Sequence, residues 1–273
     1  ILDRIFTQGA RLHGQKRGIA LNSADTVIIN SHIEGIRAVG QDSQAIAGWN
    51  GPGGYRMENN YLEPAGEVFM LGGADPAIVA LTPTDVTIRS NTLTRPLSWR
   101  DPIVPRPANV RPEVGPGGLL AAGTYAYKVV ARRSIGTQIG RSLPSQEVTV
   151  TVAPGSHVSL RWEPVPDAAE YLVYGRIPGS QAQYWRVTTP EFTDTGSSGS
   201  AGSPSSSATM WQVKNLLELK HARGVLISHN VLTNNWSQAQ SGISILISPR
   251  NQNGRCTWCV VEDVTLEYNL IRH

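Results

Sequence analysis

Cysteine, charge and long apolar runs are all scarce in this chain, and each scarcity removes a class of explanation. No uninterrupted apolar stretch approaches the roughly 18 residues needed to cross a bilayer as a helix. No run of Lys and Arg occurs, and no aromatic-basic interleaving of the kind a nucleic-acid module carries. The i, i+3, i+4, i+7 spacing of a long amphipathic helix is missing throughout. So are GxSxG, HExxH, the P-loop and the dinucleotide-binding glycine pattern, which sets aside the chemistries those motifs serve. The tract 51–54 (GPGG) is a turn and not a phosphate cradle, because no helix follows it. Charged residues make up only 16% of the 273, and Gly, Ser, Asn and Thr fill the polar surface instead, as in a turn-rich extracellular β protein. The net charge of +3 is mild, and a solvated surface accounts for it more simply than a polyanion-binding face. No signal peptide is visible, but both ends fall inside strand patterns, so capping coils and any targeting segment are expected outside the chain.

What is present is a recurring phrase: apolar, x, apolar, x, x, Asn, x, apolar. It reads YRMENNYL at 55–62, VTIRSNTL at 86–93, VLISHNVL at 225–232 and VTLEYNLI at 264–271. A weaker copy, TVIINSHI at 26–33, has Ser31 in the Asn place, and Ile1, Arg4 and Phe6 begin a sixth. The spacing is 29 residues from Ser31 to Asn60 and 31 from Asn60 to Asn91. Periods of that length mean a solenoid. Within each copy the apolar residues alternate as in a strand, and a second strand phrase precedes each one, for example 45–47, 68–71 and 243–247. Stacked coils of this kind make a parallel β-helix with apolar ladders pointing inward. The repeated Asn is expected at a bend, where it can bond backbone groups and its counterparts above and below, and where Asn tolerates the left-handed conformation.

The coil pattern resembles that of right-handed parallel β-helix proteins of the pectate-lyase-like superfamily. The stretches KRGIALNS, GQDSQAIAGWNGPG, ENNYLEPAGE and LGGADP, and later VKNLLELKHARGVLISHNVLTNNW, resemble bacterial secreted β-helix proteins. The likeness covers about 1–100 and 208–273 and speaks to fold; that superfamily holds lyases, hydrolases, epimerases and non-catalytic surface proteins.

Between Asn91 and Asn230 lie 139 residues, far more than one coil, and the text changes character near Asp101. Removing 101–207 leaves 32 and restores the period, so the segment is expected as an insertion in one loop. Its Tyr-x-Tyr-x-Val strand (125–129), Trp162 before Glu-Pro-Val-Pro, and AEYLVYGR at 169–176 resemble a fibronectin type III-like domain. That resemblance implies a seven-strand sandwich with Tyr127, Trp162 and Tyr171 as core aromatics. The Gly/Ser run 196–207 reads as a flexible linker. The domains are then 1–100 (β-helix), 101–207 (inserted sandwich) and 208–273 (β-helix).

The only two cysteines, Cys256 and Cys259, form a CxxC. A redox pair needs a helix N-terminus to lower a thiol pKa, which a loop before a strand does not supply. A zinc site needs two further ligands, and the nearest histidines, His221 and His229, belong to an earlier coil. A loop-stapling disulfide in an exported protein is the first reading, with free thiols the alternative.

A β-helix offers long polymers an extended flank, so functional groups should recur at equivalent coil positions. Before the first strand of each coil stand Lys16, Arg17, Asp42, Gln44, Glu67 and Lys214; after it come Trp49, Asn50, Asp75, Lys220 and Arg250. Acidic polysaccharides suit this set. A lyase acting on a uronate needs a base for the C5 proton and a cation or bound Ca²⁺ to neutralise the carboxylate. Arg17, Asp42, Glu67 and Lys214 are the candidate catalytic groups. Lys16, Gln44, Trp49, Asn50, Lys220 and Arg250 are candidate substrate contacts, with Trp49 offering a face to a sugar. Asp42, Glu67 and Asp75 could supply hard oxygen ligands for Ca²⁺. A hydrolase would need two carboxyls about 5–9.5 Å apart, a role open to Asp42 and Glu67. Turn-region acids that merely pair with neighbouring cations are the plainer account of the same residues. His13 and His32 fall in separate coils with no carboxylate to orient them. The expected protein is a secreted or cell-surface β-helix that recognises a polysaccharide. Whether it acts as a lyase, a hydrolase or a non-enzymatic adhesion module with the sandwich as spacer stays open, and no nucleic acid or membrane span is expected.

Overall fold

Each copy of the phrase folds as two short strands either side of a two-residue bend. In the fifth copy these are Ala222–Ser228 and Val231–Thr233. Alternation puts Val225 and Ile227 inside and Leu226 outside, while Leu232 points back inside after the bend. A computed structural model describes residues 1–272 and is all-β; its only helical element among the described residues is the short 3₁₀ turn Leu97–Arg100.

The strands of unit 1 (1–99 and 211–272) assemble into three parallel sheets. Sheet I holds Leu2–Asp3, Val27–Ile29, Gly53–Glu58, Thr84–Arg89, Ala222–Ser228 and Val261–Glu267 in that order. Sheet II holds Phe6–Gln8, His32–Ile36, Tyr61–Pro64, Thr92–Leu93, Val231–Thr233 and Leu270–Arg272. Sheet III holds Arg17–Ala20, Gln44–Gly48, Phe69–Leu71, Leu217–Leu219 and Ile245–Ile247. The chain visits I, II and III in turn and then steps to the next strand of I, the arrangement of a β-solenoid. Thr84–Arg89 pairs directly with Ala222–Ser228, so the coil resumes in register after unit 2.

That register stacks like on like. Ile28, Met57, Ile88, Ile227 and Leu266 form one ladder, and Ile33, Leu62, Leu93, Leu232 and Ile271 another. A third runs through Ile19, Ile46, Phe69, Leu217 and Ile245. The three meet in one continuous core.

The bend between sheets I and II differs from expectation in one respect. The left-handed residue is the one before the repeated Asn: Arg4, Asn30, Asn59, Ser90, His229 and Tyr268, with φ between 52° and 57°. Its side chain points outward, so residue type is free to vary despite the αL cost of roughly 1–2 kcal/mol. The repeated Asn instead turns inward and closes the corner. Asn230 Nδ2 donates to Ile88 O (2.9 Å) and Asn269 Oδ1 (2.9 Å), and Asn230 Oδ1 accepts from the backbone N (2.9 Å) and Nδ2 (3.0 Å) of Asn91. Asn60 and Asn91 repeat the pattern, and Ser31 N donates to Asn60 Oδ1 (2.9 Å). Asn230→Ala should therefore strand a buried N–H and a buried C=O, at about 1–3 kcal/mol each. We expect a total loss of about 2–5 kcal/mol, read as a lower urea midpoint with an unchanged m-value.

Unit 2 (100–210) is antiparallel. A three-stranded sheet (Arg111–Leu120, Ser156–Arg161, Glu191–Asp194) and a larger one built on Gly123–Ile135 and Glu170–Ile177 share a core containing Tyr127, Val158, Trp162 and Tyr171. Trp162 meets Tyr171 edge-on at 5.2 Å between ring centroids. Part of the Gly/Ser run is ordered rather than free: Ser200–Ala201 pairs with Ser180–Val187, and Gly202 N donates to Ala182 O (2.9 Å). Small residues suit this edge because the backbone, not the side chain, supplies the contact.

Candidate functional site

The candidate residues gather on sheet III. Register sets Arg17 beside Gln44, and Gln44 Nε2 donates to Glu67 Oε2 (2.8 Å) one coil further on. A cavity of about 540 Å³ opens over this flank. Four cations line it, Lys16, Arg17, Lys220 and Arg250, with Asp42 as its one acid. Gln41, Gln44, Trp49, Asn251 and Gln252 supply the polar and aromatic remainder, together with Met70 and the short-chained Gly73 and Ala74.

The acids beneath the cavity are already engaged. Lys214 Nζ donates to Asp42 Oδ2 (2.7 Å) and lies 3.2 Å from Glu67 Oε1, while Gln212 Nε2 holds the other Asp42 oxygen (2.5 Å). Glu67 is fully buried, and desolvation pushes its pKa up although the Lys214 charge opposes this. Desolvation opposes the Lys214 charge in turn, but Glu67 and Asp42 prevail and its pKa is raised. Glu218, equally buried, pairs with Lys220 and accepts from Asn215 Nδ2 (2.6 Å). Arg17 spreads its guanidinium 4.3 Å from the Trp49 ring centroid, and burial lowers its pKa while Glu67 and Asp42 oppose that shift. Trp49 therefore has one face covered by Arg17.

Under this layer Arg95 ties three coils together. It donates to Gly66 O (2.8 Å), Lys214 O (2.6 Å), Asn215 O (3.2 Å) and Asn235 Oδ1 (3.1 Å). It is fully buried, and desolvation brings its pKa down to about 9 against the pull of Glu67. Nothing in the spacing of the repeats singled it out, because it follows the phrase at a position where the other copies have different residues.

Of the residues expected from sequence, Lys16, Arg17, Asp42, Gln44, Trp49, Lys220 and Arg250 line the cavity, with Glu67 and Lys214 bound to its wall. Asn50 and Asp75 do not line it. Asn50 Oδ1 accepts from Ala77 N (2.6 Å), and the Asp75 carboxylate accepts from Asn253 N (3.1 Å) and Arg255 N (3.3 Å), so both close loops. Asp42, Glu67 and Asp75 consequently form no common oxygen cage. Two are neutralised by one ammonium and the third is spent on backbone N–H groups, so these residues do not fit Ca²⁺. The same ammonium bridges Asp42 and Glu67, so this carboxyl pair is not free to flank a glycosidic bond.

Two placements escaped the sequence. His32 has a carboxylate partner after all: Glu34, two residues along and therefore on the same strand face, 2.7 Å from Nε2. That bond is the main cause lowering the Glu34 pKa. The second concerns the surroundings of Cys256 and Cys259, which are joined as a disulfide, the first reading of the CxxC. His221 lies against them, its ring nitrogen within 4.8 Å of both sulfurs.

No protein-family model, no curated protein and no solved structure matches this chain.

Proposed function

We propose that the chain is an extracellular polysaccharide-recognising protein: a right-handed parallel β-helix of the pectate-lyase-like kind with a fibronectin type III-like sandwich as its second unit. In this reading the cavity on sheet III receives an acidic sugar unit. The observation that carries it is the charge of the lining: Asp42 is neutralised by Lys214 and Lys220 by Glu218, which leaves Lys16, Arg17 and Arg250 as an excess of positive charge. The cavity volume of about 540 Å³ falls within the range that holds a small ligand. Gln41, Gln44, Asn251 and Gln252 add donors and acceptors of the kind sugar hydroxyls need. The disulfide agrees with an oxidising compartment.

Binding is favoured over cleavage. A lyase base must reach the C5 proton, and the Lys214 ammonium is engaged by Asp42 (2.7 Å) and Glu67 (3.2 Å). A hydrolase needs two carboxyls that both reach the scissile bond, and Asp42 and Glu67 are tied to the single Lys214 ammonium. The test is a panel of polygalacturonate, alginate and a sulfated glycosaminoglycan against a neutral glucan, read by affinity electrophoresis. Retardation by at least one acidic glycan and none by the glucan is the expected result. Equal retardation by all, or by none, removes the proposal. Release of unsaturated uronates or new reducing ends during the same incubation would replace a binding protein by an enzyme.

A further inference from the structure

The CxxC loop and the coil beneath it carry a second site. Ala222–Ser228 pairs with Val261–Glu267 so that Ala222 stands opposite Val261, which sets His221 directly under Val260 and beside the two cysteines. The three ligand-capable atoms of His221, Cys256 and Cys259 all lie within 4.8 Å of one another. Among the described residues this is the only group of three or more His, Cys, Asp or Glu side chains so placed. Tetrahedral bonds of about 2.3 Å to sulfur and about 2.0–2.1 Å to nitrogen put neighbouring ligand atoms roughly 3.5–3.8 Å apart. The cluster is thus already at the right scale, apart from the two sulfurs bonded to each other.

The histidine is prepared for such a role. Its Nε2 lies 2.8 Å from Leu81 O, a carbonyl that can only accept, so Nε2 carries the proton. The lone pair is then on Nδ1, where it accepts from Val260 N (3.2 Å). A backbone carbonyl on the far nitrogen is the outer-shell partner that fixes the tautomer of metal-binding histidines. Val260 directly follows Cys259, so its N–H can turn to the Cys259 sulfur when Nδ1 is taken by a metal. His221 and Cys256 are buried while Cys259 is half-exposed, giving an ion one open side.

We propose that His221, Cys256 and Cys259 form a redox-gated site for a thiophilic divalent cation of the Zn²⁺ class. A small dithiol reduces the Cys256–Cys259 bond: the S–S bond breaks, the dithiol becomes a cyclic disulfide, and its two protons and two electrons pass to the pair as thiols. The cation then displaces both thiol protons to solvent and binds two thiolates and Nδ1, with a fourth position left to solvent. Disulfide and metal exclude each other, since a sulfur bonded to sulfur has no thiolate to give. The consequence reaches the cavity wall. Asn251 lines that cavity and exchanges two 3.3 Å hydrogen bonds with the Cys256 backbone, so the two states of the pair anchor the same loop differently. The site itself does not depend on what the cavity binds.

The experiment titrates Co²⁺ into the full chain under nitrogen, after reduction with a trialkylphosphine and its removal. The expected result is one Co²⁺ per chain, with thiolate charge-transfer absorption and tetrahedral ligand-field bands that Zn²⁺ abolishes. The untreated disulfide form should show neither. Because Nε2–H stays bonded to Leu81 O, the Co²⁺ form should also show one strongly shifted exchangeable imidazole proton in its ¹H spectrum. This readout needs no substitution of the buried histidine. Cys259→Ser should weaken Co²⁺ binding by more than about a hundredfold, beyond what loss of an outer-shell partner alone causes. Equal binding by the oxidised form overturns the proposal, as does absence of charge transfer in the reduced form. A Co²⁺ spectrum without the shifted imidazole proton removes His221 from the site and overturns it as stated.

Discussion

Ile227→Asp should abolish the cooperative unfolding transition of the solenoid unit, whereas Leu226→Asp, one residue away, should lower stability only slightly. Ile227 is fully buried in the middle of its ladder, with Ile88 on one side and Leu266 on the other. Removing its side chain from the core forfeits roughly 1.5–3 kcal/mol. The larger cost is the carboxylate. Neither ladder neighbour can bond it, and an unpaired buried charge costs several kcal/mol even after its pKa rises. Together these approach the 5–15 kcal/mol that hold a typical domain together. A solenoid has no alternative packing to absorb the defect, because each coil rests only on its neighbours. Leu226 sits on the outer face between Thr87 and Thr265, where a carboxylate stays hydrated. Urea titration followed by circular dichroism separates the two variants. Similar losses for both would mean that this strand does not face the core as described.

The same alternation explains why the parallel sheets were legible in the sequence. A period-2 pattern repeated at nearly constant spacing leaves one register in which every apolar residue faces inward, and a slip by one residue would reverse all of them. The corner was legible only in part. Asn at the repeated position is required by the hydrogen bonds it makes, so it recurs, while the left-handed residue before it is constrained in its backbone alone and varies from Arg4 to Tyr268. Residues that share a strand position, such as Arg17 and Gln44, could be expected together because coil stacking is periodic. Loop residues obey no such rule. Asn50 and Asp75 carry the right chemistry but spend it on loop backbones, and Asn251 reaches the cavity through an isolated bridge to Gly73. Arg95 and the His221 contact with the Cys pair depend on which side chains meet between coils, information that spacing along one chain does not contain. Trp49 was readable as an aromatic at the rim; that Arg17 covers one of its faces was not.

Combining Arg17→Gln with Arg250→Gln should weaken binding of an acidic glycan by about tenfold to a thousandfold and flatten its dependence on salt. Both residues line the cavity, and neither is the sole partner of a buried acid. Lys220 and Lys214 are poor choices for this purpose, since their loss would leave Glu218 or Glu67 without its ammonium and confound binding with folding. A hydrogen bond to a charged partner contributes about 1.5–3 kcal/mol, or roughly 10–100-fold for each contact fully made. Arg17 is the stronger candidate. Burial already depresses its pKa, so a ligand carboxylate would meet it in a partly dehydrated setting where screening is weak. Glutamine keeps a side chain over Trp49 and removes the charge. Arg176 cannot serve as the control in unit 2, because its guanidinium holds the buried Asp194 carboxylate through two 2.6 Å bonds. Arg161 can, its side chain being 74% exposed and 3.8 Å from Glu191. Calorimetric titration at two salt concentrations reads both effects at once. If Arg161→Gln weakens binding as much as the double variant does, attraction by net charge explains the affinity and the cavity is not the site. If the double variant binds as the parent does, the cationic lining has no part in recognition.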